Sequence, residues 1–167
     1  PQVASLGSVR INHIGKAVPI PYRKGSYDQV LFFGLENKQL ITINYQHAVD
    51  STYCPNCGIK LSYSCVFYSH LGIWKCTKCK NIRPIPNASD APYYPLSGIY
   101  NRYNTIAAIL LSKLLNIPEK NIVYALQNFK PAFGRQEILN VNGRKIRIFL
   151  AKNPTSFNES LRTISNL

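Results

Sequence analysis

The cysteines are the residues with the most chemical content. Cys54-Pro55-Asn56-Cys57 and Cys76-Thr77-Lys78-Cys79 form two Cys-x-x-Cys pairs with 18 residues between them. That is the spacing of a four-cysteine zinc ribbon. Zinc takes four soft donors in a tetrahedron, and each Cys-x-x-Cys turn sets two thiolates on one side of the ion with backbone N–H groups free to bond the sulfurs. Four cysteines leave no open coordination position, so the predicted role is structural rather than catalytic. The rival readings are a redox Cys-x-x-Cys or two chance pairs. Lys60, Lys75, Lys78 and Lys80 flank the pairs and would partly neutralise the thiolates. The fifth cysteine, Cys65, falls inside a predicted strand and reads as a core thiol. His70 reads as a loop histidine, not a ligand. An odd count with four members paired argues against a secreted disulfide framework and for a metal in a reducing cytoplasm.

The elements that must position these groups follow from periodicity. Residues 51–83 hold all the cysteines, five Lys or Arg and no acidic residue. Within them, Leu61 to Tyr68 and Gly72 to Lys75 suit two strands of a small hairpin. Pro84, Pro86, Pro92 and Pro95 mark 84–97 as a linker returning to a main body, which makes the cysteine region an insertion. After Gly98 the pattern turns helical. Ile106, Ile109, Leu110, Lys113 and Leu114 share related faces, widened by Ala107, Ala108 and Leu111, as in a helix buried on more than one side. Pro118-Glu119 opens a second helix, with Pro in the first turn and Ile122, Ala125, Leu126 and Phe129 as its stripe. Gln136 to Val141 and Lys145 to Leu150 read as strands joined by a tight turn at Asn142-Gly143. Thr155 to Ile164 reads as a helix capped by Thr155 or Ser156, with Phe157, Leu161 and Ile164 on one face. Upstream, Val30 to Leu35 reads as a short buried strand stopped by Gly34, and Gln39 to Asn44 as a strand or extended arm.

Composition narrows the class. The chain has 167 residues, 46% apolar and 16% charged, which suits one globular domain or one and a half. No apolar run approaches ~18 residues, so no transmembrane helix is expected, and no signal-peptide pattern opens the chain. The absence of Met points to part of a longer or processed chain. Lys+Arg number 20 against 7 Asp+Glu, a formal charge of +13, which favours nucleic acid, anionic lipid or phosphorylated small molecules as partners. A basic piece of a more balanced protein would carry the same excess. No Gly-x-x-x-x-Gly-Lys-[Ser/Thr] phosphate loop occurs.

Three ordered motifs point further. Gly98-Ile99-Tyr100-Asn101-Arg102-Tyr103-Asn104-Thr105-Ile106-Ala107-Ala108 resembles the middle-domain pattern of the Mur ligases: a Gly, an aromatic or His plus Asn, a second Asn, then paired Ala. Phe133-Gly134-Arg135-Gln136-Glu137 and Leu150-Ala151-Lys152-Asn153-Pro154-Thr155-Ser156-Phe157-Asn158 are similar to two further motifs of that family. Together with a four-cysteine insertion, the chain resembles the MurT family, the Mur-ligase-like subunit of lipid II isoglutaminyl synthase. Pro1 to Gly7 resembles the segment that follows the family's Asn-Ala-Asp-Asp-Pro stretch.

The resemblance implies an α/β fold: a partial Mur-ligase middle, ATP-binding domain (1–50 and 84–140), an inserted zinc ribbon (51–83) and the start of a C-terminal α/β domain (141–167). It implies a carbon–nitrogen ligase in peptidoglycan synthesis that activates the D-glutamate α-carboxylate of lipid II as an acyl phosphate. A GatD-type glutaminase, paired as a heterodimer, would supply the ammonia for amidation to D-isoglutamine. ATP, Mg²⁺ and a structural zinc are the implied cofactors, and the cytoplasm, at the inner face of the membrane, the implied location. By position, Tyr100 and Asn104 match adenine contacts, Arg135 a contact to phosphates or ribose, and Lys152 and Asn153 an ATP or domain-hinge role. Asn101 and Asn104 have a plainer alternative as helix caps. The family's phosphate loop lies upstream of the segment matched here, and its catalytic acid is expected beyond Leu167, so the chain by itself is expected to be inactive. The rival class is a basic zinc-ribbon module that binds nucleic acid or protein, with Tyr63, Tyr68 and Trp74 near the cysteines. A further rival is a related Mur-type ligase with another acceptor. The ligase reading expects no specific nucleic-acid partner.

Overall fold

The computed structural model describes residues 7–11, 29–36, 52–68, 70–132 and 134–166. The predicted strand or arm at 39–44 lies outside them. Helices and strands mix in the order β1 (Gly7–Ile11), β2 (Gln29–Phe33), β3 (Ser62–Tyr68), β4 (Leu71–Lys75), α1 (Ile99–Leu114), α2 (Glu119–Gln127), β5 (Arg135–Val141), β6 (Arg144–Phe149) and α3 (Pro154–Ser165). The strands form three antiparallel pairs: β1 with β2, β3 with β4, β5 with β6. No helix among the described residues is long and apolar enough to cross a membrane.

Two cores result, because the β3–β4 hairpin buries different residues at its two ends. At one end Leu61 and Trp74 pack with Cys54 and Cys76. At the other, Cys65 and Phe67 of β3 pack with Leu35 and with Tyr103 and Ile106 of α1. Cys65 is therefore the core thiol its strand position predicts. The end of the hairpin near Tyr68 and Leu71 is thus part of the main core, while its open end carries the metal cysteines. Arg83 reinforces the junction: its buried guanidinium donates to the Leu35 carbonyl at 2.9 Å and lies 3.7 Å from Glu36. The 84–97 segment then crosses the body with no strand or helix of its own. Asn87 holds it, accepting from the Phe32 N–H at 2.9 Å and donating its own N–H to the Phe32 carbonyl at 2.7 Å.

Helix α1 buries Ile106, Ile109 and Leu110 as its periodicity requires, while Ala108 is exposed. Its N-cap is Gly98 at φ 96°, a conformation L side chains rarely adopt, and a Cβ there would lie 2.7 Å from Thr163 Oγ1 of α3. Glycine is required twice over, by backbone angle and by close helix approach. The β5–β6 turn has Asn142 at φ 50° and Gly143 at φ 76°, both left-handed, as a two-residue hairpin loop demands. That hairpin runs across position 141.

Three local expectations need correction. Pro118 is the N-cap of α2 rather than a residue inside its first turn, and Phe129 falls after the helix end. Of the expected α2 stripe only Ile122 is buried. The cap of α3 is Asn153, not Thr155 or Ser156. Asn153 Oδ1 accepts from the Ser156 N–H at 2.8 Å, and Ser156 Oγ accepts in return from the Asn153 N–H at 3.0 Å. This reciprocal box satisfies two N–H groups, with Asn153 as the cap and Ser156 as its partner inside the helix. Helix α3 buries Glu159, Ser160 and Thr163, while Phe157, Leu161 and Ile164 stand exposed.

Candidate metal centre and cleft

The metal end is built from two matching turns. Cys54 opens the first, its N–H donating to the Ile59 carbonyl at 2.7 Å; Cys76 opens the second, donating to the Asn81 carbonyl at 2.7 Å. The residue after each second cysteine is left-handed: Gly58 at φ 72° and Lys80 at φ 62°. This repeated geometry turns backbone N–H groups toward sulfur. Asn56 and Cys57 donate to Cys54, Ile59 to Cys57, and Lys78 and Cys79 to Cys76.

The sulfurs of Cys54 and Cys79 are 3.6 Å apart, and those of Cys57 and Cys76 3.5 Å. All four lie within 4.8 Å of one another. A tetrahedron with Zn–S bonds of about 2.3 Å has sulfur–sulfur edges of about 3.8 Å. The donor set and its spacing therefore fit a four-coordinate soft metal, and no fifth position is open. Burial pushes the Cys54 thiol up, but N–H donors from Asn56 and Cys57, with the Cys79 and Cys76 thiols, bring it down overall to about 6. On Cys57 the Ile59 N–H works downward, yet burial and the crowding of the other three thiols leave it raised to about 11. Four thiols sharing one site cannot all ionise without a cation between them. His70 is not part of the cluster.

The second site is a cleft of about 740 Å³ between the start of α1, the start of β5 and the start of α3. Tyr100, Asn104, Arg135, Lys152 and Asn153 all line it. The structure thus brings together every residue to which the sequence gave a nucleotide role. Neither Asn101 nor Asn104 caps α1, whose N-cap is Gly98 with no side-chain cap bond. Asn101 is buried and donates its amide to the Ser97 carbonyl at 2.6 Å, tying down the helix start. Asn104, one turn on, is exposed to the cleft. Arg135 and Lys152 are exposed, no carboxylate lines the cleft, and neither cation pairs with a carboxylate among the described residues. Apolar surface from Leu126, Phe129 and Phe149 forms the rest of the wall.

Among the lining residues given no role from sequence, Gln136 holds the most side-chain hydrogen bonds. Gln136 sits in the Gly-Arg-Gln-Glu motif, and its importance shows only in three dimensions. Its backbone is left-handed, at φ 58°, in an irregularity of the β5–β6 ladder between Arg135 and Glu137. That turns the amide into the protein. It accepts from the Ser97 N–H at 3.0 Å and donates to the Ser97 carbonyl at 2.6 Å and the Tyr100 hydroxyl at 3.2 Å. Gln136 therefore clamps β5 to the start of α1 and fixes Tyr100. Ser156, which also lines the cleft, is engaged in the α3 cap.

No protein-family model matches the chain. Among curated proteins it is 29% identical over 128 residues to the MurT subunit of lipid II isoglutaminyl synthase (glutamine-hydrolyzing) of Staphylococcus aureus strain COL, covering 67% of this chain and 29% of that protein. It is 24% identical over 164 residues to the MurT subunit of Streptococcus pneumoniae, covering 87% of this chain and 37% of that protein. The chain thus spans about a third of the length of these relatives. Among solved structures it is similar to a pseudomurein peptide ligase type C from Methanothermus fervidus, with TM-score 0.64 and 29% identity over 80% of this chain and 30% of the other. The resemblance carried by the three motifs is borne out: the chain is similar in sequence to MurT subunits and in fold to a pseudomurein peptide ligase.

Proposed function

We propose that this chain is part of a Mur-type ligase of peptidoglycan synthesis that works with a GatD-type glutaminase to amidate the D-glutamate α-carboxylate of lipid II. The observation that carries this reading is the meeting of Tyr100, Asn104, Arg135, Lys152 and Asn153 in one carboxylate-free cleft. Such a cleft attracts a polyanion and repels none of its charges. The Asn104 amide can donate to and accept from an adenine edge beside the Tyr100 ring. Arg135 and Lys152 serve the phosphates, Arg as a fork and Lys as a point charge. The Asn153 carbonyl oxygen is committed to the α3 cap, which leaves its amide N–H groups for the ligand. ATP supplies the phosphoryl group that converts the carboxylate oxygen into a leaving group, and Mg²⁺ arrives with the phosphates, since the cleft offers it no carboxylate.

In this reading 1–50 and 84–140 belong to the ATP-binding middle domain, 51–83 to an inserted zinc ribbon and 141–167 to the start of the C-terminal domain. The β5–β6 hairpin then spans the junction. The four cysteines hold a structural zinc that fixes the ribbon and takes no part in the chemistry.

The test uses the full-length protein with its glutaminase partner. Lipid II, ATP and glutamine are expected to give the amidated product with ATP consumed. Arg135→Ala is expected to impair turnover while zinc content stays the same. Full activity in that variant, or no amidation by the intact pair, would sink the reading.

A further inference from the structure

The ribbon carries a feature that neither the metal nor the cleft uses. Strand pairing places Tyr53 opposite Lys60, Ser62 opposite Lys75, and Lys75 opposite Ile82. Paired residues share a side of a sheet, and so do Lys60 and Ser62, two apart. Tyr53, Lys60, Ser62, Lys75 and Ile82 therefore form one row across one face. The alternate residues confirm the assignment: Leu61, Trp74 and Cys76 are buried on the opposite side, around the metal cluster.

This row is open and amphipathic. Tyr53 is 53% exposed and Ile82 64%. Ile85, which shares a groove with Ser62, Lys75 and Ile82, is 82% exposed. Residues 51–83 contain no acidic side chain, and Lys78 and Lys80 extend the positive charge to the metal end. The groove's one carboxylate, Glu36, is already faced by Arg83.

We propose that this face of the ribbon docks on an anionic lipid bilayer, with Ile82, Ile85 and Tyr53 entering the interface and Lys60 and Lys75 meeting the headgroups. Lysines flanking exposed aliphatic and tyrosine side chains are what a charged bilayer surface binds. The alternative polyanion, single-stranded nucleic acid, is held by bases stacking on exposed rings. Here Trp74 is 3% exposed and Tyr63 is half-buried with its hydroxyl donating to the His70 carbonyl, so that of these rings Tyr53 alone stands open on the face, too few for a run of stacked bases. What the face offers instead is isoleucine, which has no use against a phosphate chain. The inference goes beyond the amidation reading and does not require it, although a lipid-linked substrate would give the docking its purpose.

The experiment is flotation of the zinc-loaded chain with vesicles of phosphatidylcholine alone or mixed with phosphatidylglycerol, at low and high salt. Wild type is expected to float with the anionic vesicles only, and less at high salt. Lys60→Ala with Lys75→Ala is expected to lower partition about thirtyfold, from the loss of two headgroup attractions. Ile82→Ser with Ile85→Ser is expected to remove the fraction that survives high salt. Zinc content and fluorescence of Trp74, the single tryptophan, verify that each variant keeps its fold. Equal binding to neutral and anionic vesicles, or wild-type binding by both double variants, would overturn the proposal. So would a single-stranded oligonucleotide that displaces the vesicles through the same lysines. Nucleotide binding at the cleft, measured on the same preparation, reports separately on the ligase reading.

Discussion

The metal end and the cleft hold their functional side chains in place by opposite means. The four cysteines lie within 26 consecutive positions and are oriented by their own turns, through N–H groups two or three residues away. The cleft draws on positions from 95 to 156 and is oriented by side chains reaching across the fold, above all Gln136 to Ser97 and Tyr100. A local site depends on short-range geometry and on its ligand; a composite site depends on the packing of elements that have no other reason to meet. The two should therefore fail differently, and largely independently, when single residues are changed.

The largest expected effect is at the metal. Cys76→Ser removes one of four ligands and exposes the tip's small core, since Cys76 is 1% exposed within it. Structural zinc contributes on the order of 10 kcal/mol of apparent binding to a site of this kind. Metal analysis is expected to fall from one zinc per chain toward none, with a red shift of Trp74 emission. Circular dichroism of the helices should change little, because Cys65 and Phe67 anchor the far, turn end of the hairpin in the main core. Collapse of the whole fold would show that the two ends are one cooperative unit and would break the contrast.

At the cleft the expected effects are smaller and specific to ligand. In the full-length protein with its partner, Asn104→Ala should raise the apparent KM for ATP by a factor that corresponds to roughly 1–3 kcal/mol, the value of a lost hydrogen-bonding pair. Thermal stability should barely move, because Asn104 is exposed. An unchanged KM would reassign Asn104 to a purely structural place on α1. Gln136→Leu sharpens the comparison. It deletes three hydrogen bonds and leaves the Ser97 N–H without its side-chain partner, while the Ser97 carbonyl keeps Asn101, so it should cost stability by about 1–3 kcal/mol and weaken nucleotide binding together. Loss of stability with no loss of binding would show that Tyr100 needs no clamp.

How much was legible in advance follows the same division. The metal site could be read completely, because a Cys-x-x-Cys turn encodes its geometry in adjacent residues. The hairpins, α1 and the Asn142-Gly143 turn were equally plain, being set by periodicity and by left-handed backbone. The Asn153 cap was missed because Pro154 can be the first helical residue, which moves the start of α3 upstream of Thr155. Gln136 was missed for a different reason. A residue in a regular strand turns away from its neighbours' face, and nothing in one sequence announces the left-handed irregularity that turns Gln136 inward. The exposed stripe of Phe157, Leu161 and Ile164 on α3 shows a third limit: an apolar period identifies a face but does not say what covers it.

The smallest expected effect sits on the 84–97 segment that joins the two regions. The Tyr94 hydroxyl donates to Asp90 at 2.6 Å, the Ala91 N–H donates at 2.9 Å, and Arg102 lies 4.5 Å over the Tyr94 ring. The Tyr94 hydroxyl, then the Ala91 N–H, hold the Asp90 carboxyl below its usual value, with Arg102 adding a little and slight burial working the other way. A carboxyl whose value is lowered on folding stabilises the fold fully above its unfolded value of about 3.9, and the stabilisation fades as pH falls through the lower folded value. Asp90 is exposed, so solvent screening keeps the contribution to at most about 1 kcal/mol. Urea unfolding at pH 7 is expected to show Asp90→Asn slightly less stable than wild type, and the gap is expected to narrow as pH falls below the unfolded value of about 3.9. A gap that does not narrow on acidification would mean that Asp90 acts through geometry rather than charge. In that case the segment would be held to α1 as Gln136 holds β5, by neutral hydrogen bonds that pH does not reach.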